Sequence, residues 1–151
     1  MAQVAKERID EMQDPEQGIQ RALLEYRALG YSDAWINQRL KSIEIRKDLT
    51  DEWKKRGISG ERNYAILTAE ISKATFGMTP SEYKEYKGLT KKNQNLRDHM
   101  DDLELIFTML GERVTTELSE TEQPDTFQGS KKIARRGGNA AGKAREVTEE
   151  E

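Results

Sequence analysis

A chain of 151 residues is long enough to bury a core, but with 34% apolar and 35% charged side chains it is apolar-poor for one compact globule. Its net charge of −3 excludes whole-molecule attraction to DNA or an anionic membrane, so any nucleic-acid contact must come from a local basic patch. The lack of cysteine excludes disulfides and cysteine-based metal sites. The opening Met1–Arg8 lacks the apolar run of a signal peptide, and the longest apolar patches are far short of a membrane span. A cytoplasmic protein is expected.

Helical periodicity dominates. Asp14-Pro15-Glu16 supplies a cap, a proline at the first helical position and an acid in the first turn. Ile19, Ala22, Leu23, Tyr26 and Leu29 follow on one face, and Gly30 ends the helix. Ser32-Asp33 caps the next. Ile36, Leu40 and Ile43 form one stripe on it; Ile45, Leu49 and Trp53, with Trp35, form a second on nearly the opposite face. That pattern predicts either one long helix covered on both sides or a bend near residues 46–48, closed by Gly57. A third helix is predicted from Ser59 or Gly60 to Phe76, with Tyr64, Leu67, Ile71 and Ala74 on one face and Gly77 as its stop.

Thr79-Pro80-Ser81-Glu82 starts a short fourth helix ending near Gly88, with Thr79 as cap and Glu82 placed to complete a capping box. With Phe76-Gly77-Met78 before it and Tyr83 after it, this phrase resembles, over fewer than ten residues, the end of the helix-turn-helix in arabinose-operon-type regulators, but a plain helix start explains it better. Residues 91–95 are polar and predicted irregular. Asp101-Asp102 opens the clearest helix, where two acids suit the helix dipole. Leu103, Ile106, Phe107, Leu110, Val114 and Leu118 share one face of it, and Gln123-Pro124-Asp125 breaks it.

After Pro124 the composition shifts. Lys131, Lys132, Arg135, Arg136, Lys143 and Arg145 occur with no acid among them, interleaved with Gly129, Gly137, Gly138 and Gly142, and four glutamates close the sequence. Cations separated by small residues can follow a phosphate backbone and release its counterions. No aromatic is interleaved, so base stacking is not indicated. The competing reading is a solvated helix face neutralised by the closing glutamates.

Signals for catalysis are weak. The single histidine, His99, follows Asp98, but this pair reads more simply as part of a capping and packing cluster. A transition-metal site would need carboxylates for most of its ligands, and no acid pair stands out from 28 acids. Gly137-Gly138 lacks the lysine–serine/threonine ending of a phosphate loop. The expectation is no enzyme activity, no catalytic residue, no metal, no cofactor and no small-molecule substrate.

Four phrases, taken together and in order, carry a family resemblance: residues 36–47 (INQRLKSIEIRK), residues 87–89 (KGL), residues 95–100 (NLRDHM) and residues 137–145 (GGNAAGKAR). They resemble the C-terminal region of the DNA-damage-inducible protein D family and its prophage relatives, over nearly the whole chain. The longer relatives carry a BRO-type N-terminal domain, as found in phage antirepressors. That domain has no counterpart here, so the DNA-binding role attached to it is not carried over, and a short form or a fragment is expected. The resemblance implies a role in the bacterial DNA-damage (SOS) response or in mobile elements, associated with recombinase filaments on single-stranded DNA, and no enzymatic activity. Within it, Asn95, Arg97, Asp98 and His99 form the polar cluster of interest, Arg97 and Asp98 in the role of ties between helices.

The predicted fold is all-α: a compact bundle of about five or six helices joined by glycine turns over residues 1–124, with a basic, then acidic arm at residues 125–151, partly helical or flexible. The predicted function is that of a non-catalytic accessory protein binding DNA, single-stranded or duplex, or a DNA-bound recombination protein through Lys131, Lys132, Arg135, Arg136, Lys143 and Arg145. The alternative is an antirepressor-like protein-interaction or dimerisation module without nucleic-acid contact. Low apolar content also leads to the expectation of a homodimer, its core completed by a second copy.

Overall fold

The computed structural model describes residues 15–150, which form six α-helices and one 3-10 turn, with no strand among the described residues. In chain order these are α1 (Pro15–Ala28), α2 (Asp33–Lys55), α3 (Glu61–Phe76), α4 (Pro80–Tyr86), the 3-10 turn Leu96–His99, α5 (Asp102–Glu122) and α6 (Phe127–Glu150). The chain is an all-α bundle, as its periodicity predicts. No helix among the described residues is long and apolar enough to cross a membrane.

The helix starts follow the capping chemistry. The Ser32 hydroxyl accepts from the Trp35 backbone N–H at 3.2 Å. Thr79 and Glu82 close a reciprocal capping box, with bonds of 3.2 and 2.9 Å. Asp101 and Glu104 close a second, with bonds of 2.8 and 3.2 Å. Gly77 ends α3 at φ +77, a left-handed conformation that only glycine takes without strain. Asp14, the expected cap of α1, lies outside the described residues, as do the side chains of Ile19 and Ala22. Of that helix's apolar face, Tyr26 is buried, whereas Leu29 is 69% exposed. Replacing Thr79 by alanine removes the acceptor for an otherwise unpaired N–H, so urea unfolding should show a loss of about 1 kcal/mol.

The helix α2 is one continuous element and does not break near residue 46. Its contacts pair successive levels with the chain leading into and along α5: Trp35 with Met100, just before α5, Arg46 with Glu112, and Glu52 with Ser119. The two helices therefore run parallel. Residues 123–126 turn the chain back, and α6 runs antiparallel to α5, with Gly137 facing Thr115 and Gly111 facing Ala141. Against α3, however, α6 is parallel: Arg135 reaches Glu70, Gly138 faces Ile71, and Gly142 faces Ala74. Helix α5 thus lies between α2 on one side and α6 on the other.

Residues 127–150 are accordingly not an arm. They form a helix packed into the body, against α3 and α5. Three of its four glycines, Gly137, Gly138 and Gly142, lie in its contact surface. Ser130, Ala134, Gly137, Gly138, Ala141 and Gly142 are all buried. Four glycines each cost about 1 kcal/mol against alanine in a free helix, so α6 depends on this close packing. One boundary between a body at 1–124 and a separate segment at 125–151 does not describe the packing.

Two apolar clusters form the core. One joins Leu49, Trp53, Ile58, Leu67, Ile71 and Ala134; the other joins Tyr83, Leu96, Met100, Leu105 and Met109. Several core-facing positions carry polar side chains, including Arg39, Ser42, Glu52, Thr108, Glu112, Thr115, Thr116 and Ser119. Much of α5's buried face is therefore polar, which accounts for a bundle built from so few apolar residues.

Candidate functional site

The polar cluster 95–99 is built from the 3-10 turn outward. The Asn95 side chain caps the turn, accepting from the Arg97 N–H at 3.0 Å. Arg97 then reaches α5 and grips Glu112 with two bonds, of 2.8 and 2.7 Å. Asp98 faces the other way: it accepts from Arg39 Nε at 2.9 Å and from the Tyr26 hydroxyl, tying the turn to α2 and α1. The Trp35 indole N–H donates to the Met100 carbonyl at 2.8 Å, and its ring stacks on Tyr31 at 4.2 Å. Trp35 is half-buried there, and Trp53 lies in the core. His99 is exposed and has no side-chain hydrogen bond among the described residues.

Glu112 is the most buried acid of this network, with 1% of its side chain exposed. It accepts from Arg46 at 3.0 Å as well as from Arg97, and the Arg46 guanidinium also lies over the Trp53 ring at 5.2 Å. Burial alone would push the Glu112 carboxyl up; the Arg97 and Arg46 charges reverse this and hold it below the usual carboxylate range. At Arg97, burial works against the charge but the bidentate contact outweighs it and raises the pKa. At Arg46, burial outweighs the single bond and lowers it, though a guanidinium stays charged. The arrangement is a closed, fully used ion triad. Among the described residues no group of three or more acids and histidines is disposed to hold a metal.

The six cations of α6 divide into two sets. Lys132, Arg135, Arg136 and Lys143 are exposed and share its outward face. From Lys132 to Lys143 this face spans about 16 Å at 1.5 Å per residue. Lys131 and Arg145 are half-buried and turn inward. Four of the six are paired: Lys131 and Arg135 with Glu70, Arg136 with Glu122, and Arg145 with Glu149. Arg145 also donates to the Thr75 carbonyl at 2.7 Å. Periodicity brings part of the predicted basic patch together, and neighbouring acids neutralise much of it.

The third feature lies on α5. Leu103, Ile106 and Leu110, on the helix's apolar face, are turned outward, with 52%, 39% and 37% of their surfaces exposed. The opposite, buried face carries Thr108, Gly111, Glu112, Thr115 and Ser119. Of this face, Gly111 and Thr115 meet the glycine surface of α6, whereas Glu112 and Ser119 turn to α2 and the 3-10 turn. At its start the exposed stripe enters a groove of about 430 Å³ between α4, α5 and the end of α6, floored by Phe76, Met78, Tyr83 and Phe107. Tyr86, 77% exposed, stands on its edge. The Tyr83 hydroxyl donates to Glu104, which Lys87 also holds at 2.9 Å. Burial would raise the Glu104 carboxyl, but these two donors hold it low.

Comparison of the chain with protein-family models, with curated proteins and with solved structures gave no match.

Proposed function

We propose that this protein is a non-catalytic accessory of the bacterial DNA-damage response or of a prophage, and that it works by docking on another protein, with a DNA-bound recombination protein as the partner. The biological setting rests on the resemblance of residues 36–47, 87–89, 95–100 and 137–145 to the DNA-damage-inducible protein D family. The preference for a protein partner over bare DNA rests on one observation: α5 buries Glu112 and several threonines along with Leu105, Phe107 and Met109, yet leaves Leu103, Ile106 and Leu110 partly exposed in a row. A contiguous aliphatic stripe beside an apolar groove marks a recognition surface. The cations of α6 support this order of preference, since Glu70 and Glu122 already occupy three of them.

Fluorescence anisotropy of labelled single-stranded DNA, bare and coated with a bacterial strand-exchange recombinase, tests the reading. The expected result is weak binding to bare DNA at near-physiological salt and firm binding to the coated strand. Replacing Ile106 and Leu110 by serine should abolish binding to the coated strand.

A second reading has its own observation: Lys132, Arg135, Arg136 and Lys143 share one outward face. If that face contacts phosphates directly, alanine at Lys132, Arg135 and Arg136 will weaken binding to bare DNA and flatten its salt dependence. A binding curve unchanged by these substitutions excludes it.

A further inference from the structure

Resting on the protein-interaction reading, the inference concerns which segment the groove at the end of α5 takes. Its floor is aromatic and aliphatic, and its rim is acidic. Asp101, Glu104 and Glu149 line it; Lys87 holds Glu104 and the lining Arg145 holds Glu149 and the Thr75 carbonyl, which leaves Asp101 without a cation. Asp102, beside Leu103, and Glu146 and Glu150, on the last turns of α6, are exposed acids without a partner among the described residues. Glu85, next to Tyr86 on α4, is another. Glu104 and Glu149 have cations of the chain beside them, as Glu70 and Glu122 do, whereas Asp102, Glu146, Glu150 and Glu85 have none among the described residues.

We propose that this groove receives a short segment of a partner protein in which one or two long aliphatic or aromatic side chains are flanked by lysine or arginine. The apolar side chains would fill the space over Phe76, Tyr83 and Phe107, extending along Leu103. The flanking cations would meet the acidic rim. A volume of about 430 Å³ suits a few side chains and not a whole domain face. Helix-in-groove recognition combines apolar anchors at helical spacing with charge matching at the edges in this way. The same chemistry disfavours a nucleic-acid occupant, because the rim repels phosphate.

The probe is a short fluorescein-labelled helical peptide with leucine on one face and lysine on the other, titrated with the full chain. It should bind, and binding should weaken with added salt. The same peptide with glutamate in place of lysine should not bind. Leu103→Ser with Tyr86→Ser, both at exposed positions, should weaken binding at least tenfold while leaving the melting temperature unchanged. Asp102→Asn with Glu149→Gln and Glu150→Gln should reduce both the affinity and its salt dependence. Equal binding by the Leu103→Ser/Tyr86→Ser variant, or by the glutamate peptide, overturns the proposal, as does no binding of the lysine peptide at low salt. Concentration-dependent self-association that the same two serines abolish also overturns it, by placing a second copy in the groove. Failure of the peptide leaves the recombinase-filament test standing, because that test reads Ile106 and Leu110.

Discussion

Replacing Glu112 by glutamine is expected to cost about 3–5 kcal/mol, because it leaves two guanidinium groups in the interior facing a neutral amide. Arg46 and Arg97 have only 27% and 16% of their side chains exposed, so water cannot replace the lost charge. In a chain of this length, such a loss lowers the melting temperature by about 10 °C. Replacing the whole triad together, with Glu112→Leu, Arg46→Met and Arg97→Met, should recover most of the stability, since no charge is then left unpaired. Urea unfolding of both variants measures this. A triple variant as unstable as the single one would mean that the charges themselves stabilise the fold.

The pH dependence follows with a definite sign. The folded state holds the Glu112 carboxyl below its unfolded value, so its contribution is fully present above about pH 4.3 and is lost as pH falls through the lower folded value. The stability difference between the native chain and Glu112→Gln should therefore shrink in acid. Glu104 adds a loss in the same direction, through Tyr83 and Lys87, but it is common to both proteins.

Alanine at both Gly138 and Gly142 is the second large effect. A Cβ at Gly138 would stand 2.5 Å from the Ile71 carbonyl oxygen and 2.7 Å from the Ala74 Cβ; at Gly142 it would stand 2.3 Å from the Ala74 carbonyl oxygen. These neighbours are backbone and Cβ atoms that cannot swing aside, so α6 must separate from α3. Each overpacked site costs about 1–3 kcal/mol, against about 1 kcal/mol gained from helix propensity. Asn139→Ala, on the exposed face of α6, is the control and should be neutral. A double alanine variant more stable than the native chain would show that the two helices do not approach this closely.

The course of the chain is largely legible in its sequence where capping chemistry marks it. Ser32, Thr79 and Gly77 set helix ends at the predicted positions, and the Asp101-Asp102 pair marks the start of α5. The packing is less legible, for a specific reason. Apolar periodicity identifies one stripe of Leu103, Ile106, Phe107, Leu110, Val114 and Leu118, but not that Phe107 is buried, Val114 and Leu118 half-buried, and Leu103, Ile106 and Leu110 exposed. Nor does it mark the packing face of α6, whose small residues recur at helical spacing through Ser130, Ala134, Gly137, Gly138 and Ala141. Without apolar side chains they resemble a flexible segment, although the spacing is that of a close-packed face. The same recurrence on α5, through Thr108, Gly111, Thr115 and Ser119, is the matching signal. Glu112 carries no such mark: its partners lie 66 and 15 residues away, and only the fold joins them. The expectation of Arg97 and Asp98 as ties between helices comes with the polar phrase 95–100 of the family resemblance, and their bonds to Glu112, Arg39 and Tyr26 fit it.

The most direct measurement of the central claim is the anisotropy comparison of bare and recombinase-coated single-stranded DNA at near-physiological salt, made with the native chain and with the Ile106→Ser/Leu110→Ser variant. Binding to the coated strand that the variant loses, with little binding to the bare strand, is the predicted result. Binding to bare DNA that survives both serines and disappears with alanine at Lys132, Arg135 and Arg136 would contradict it and place recognition on α6.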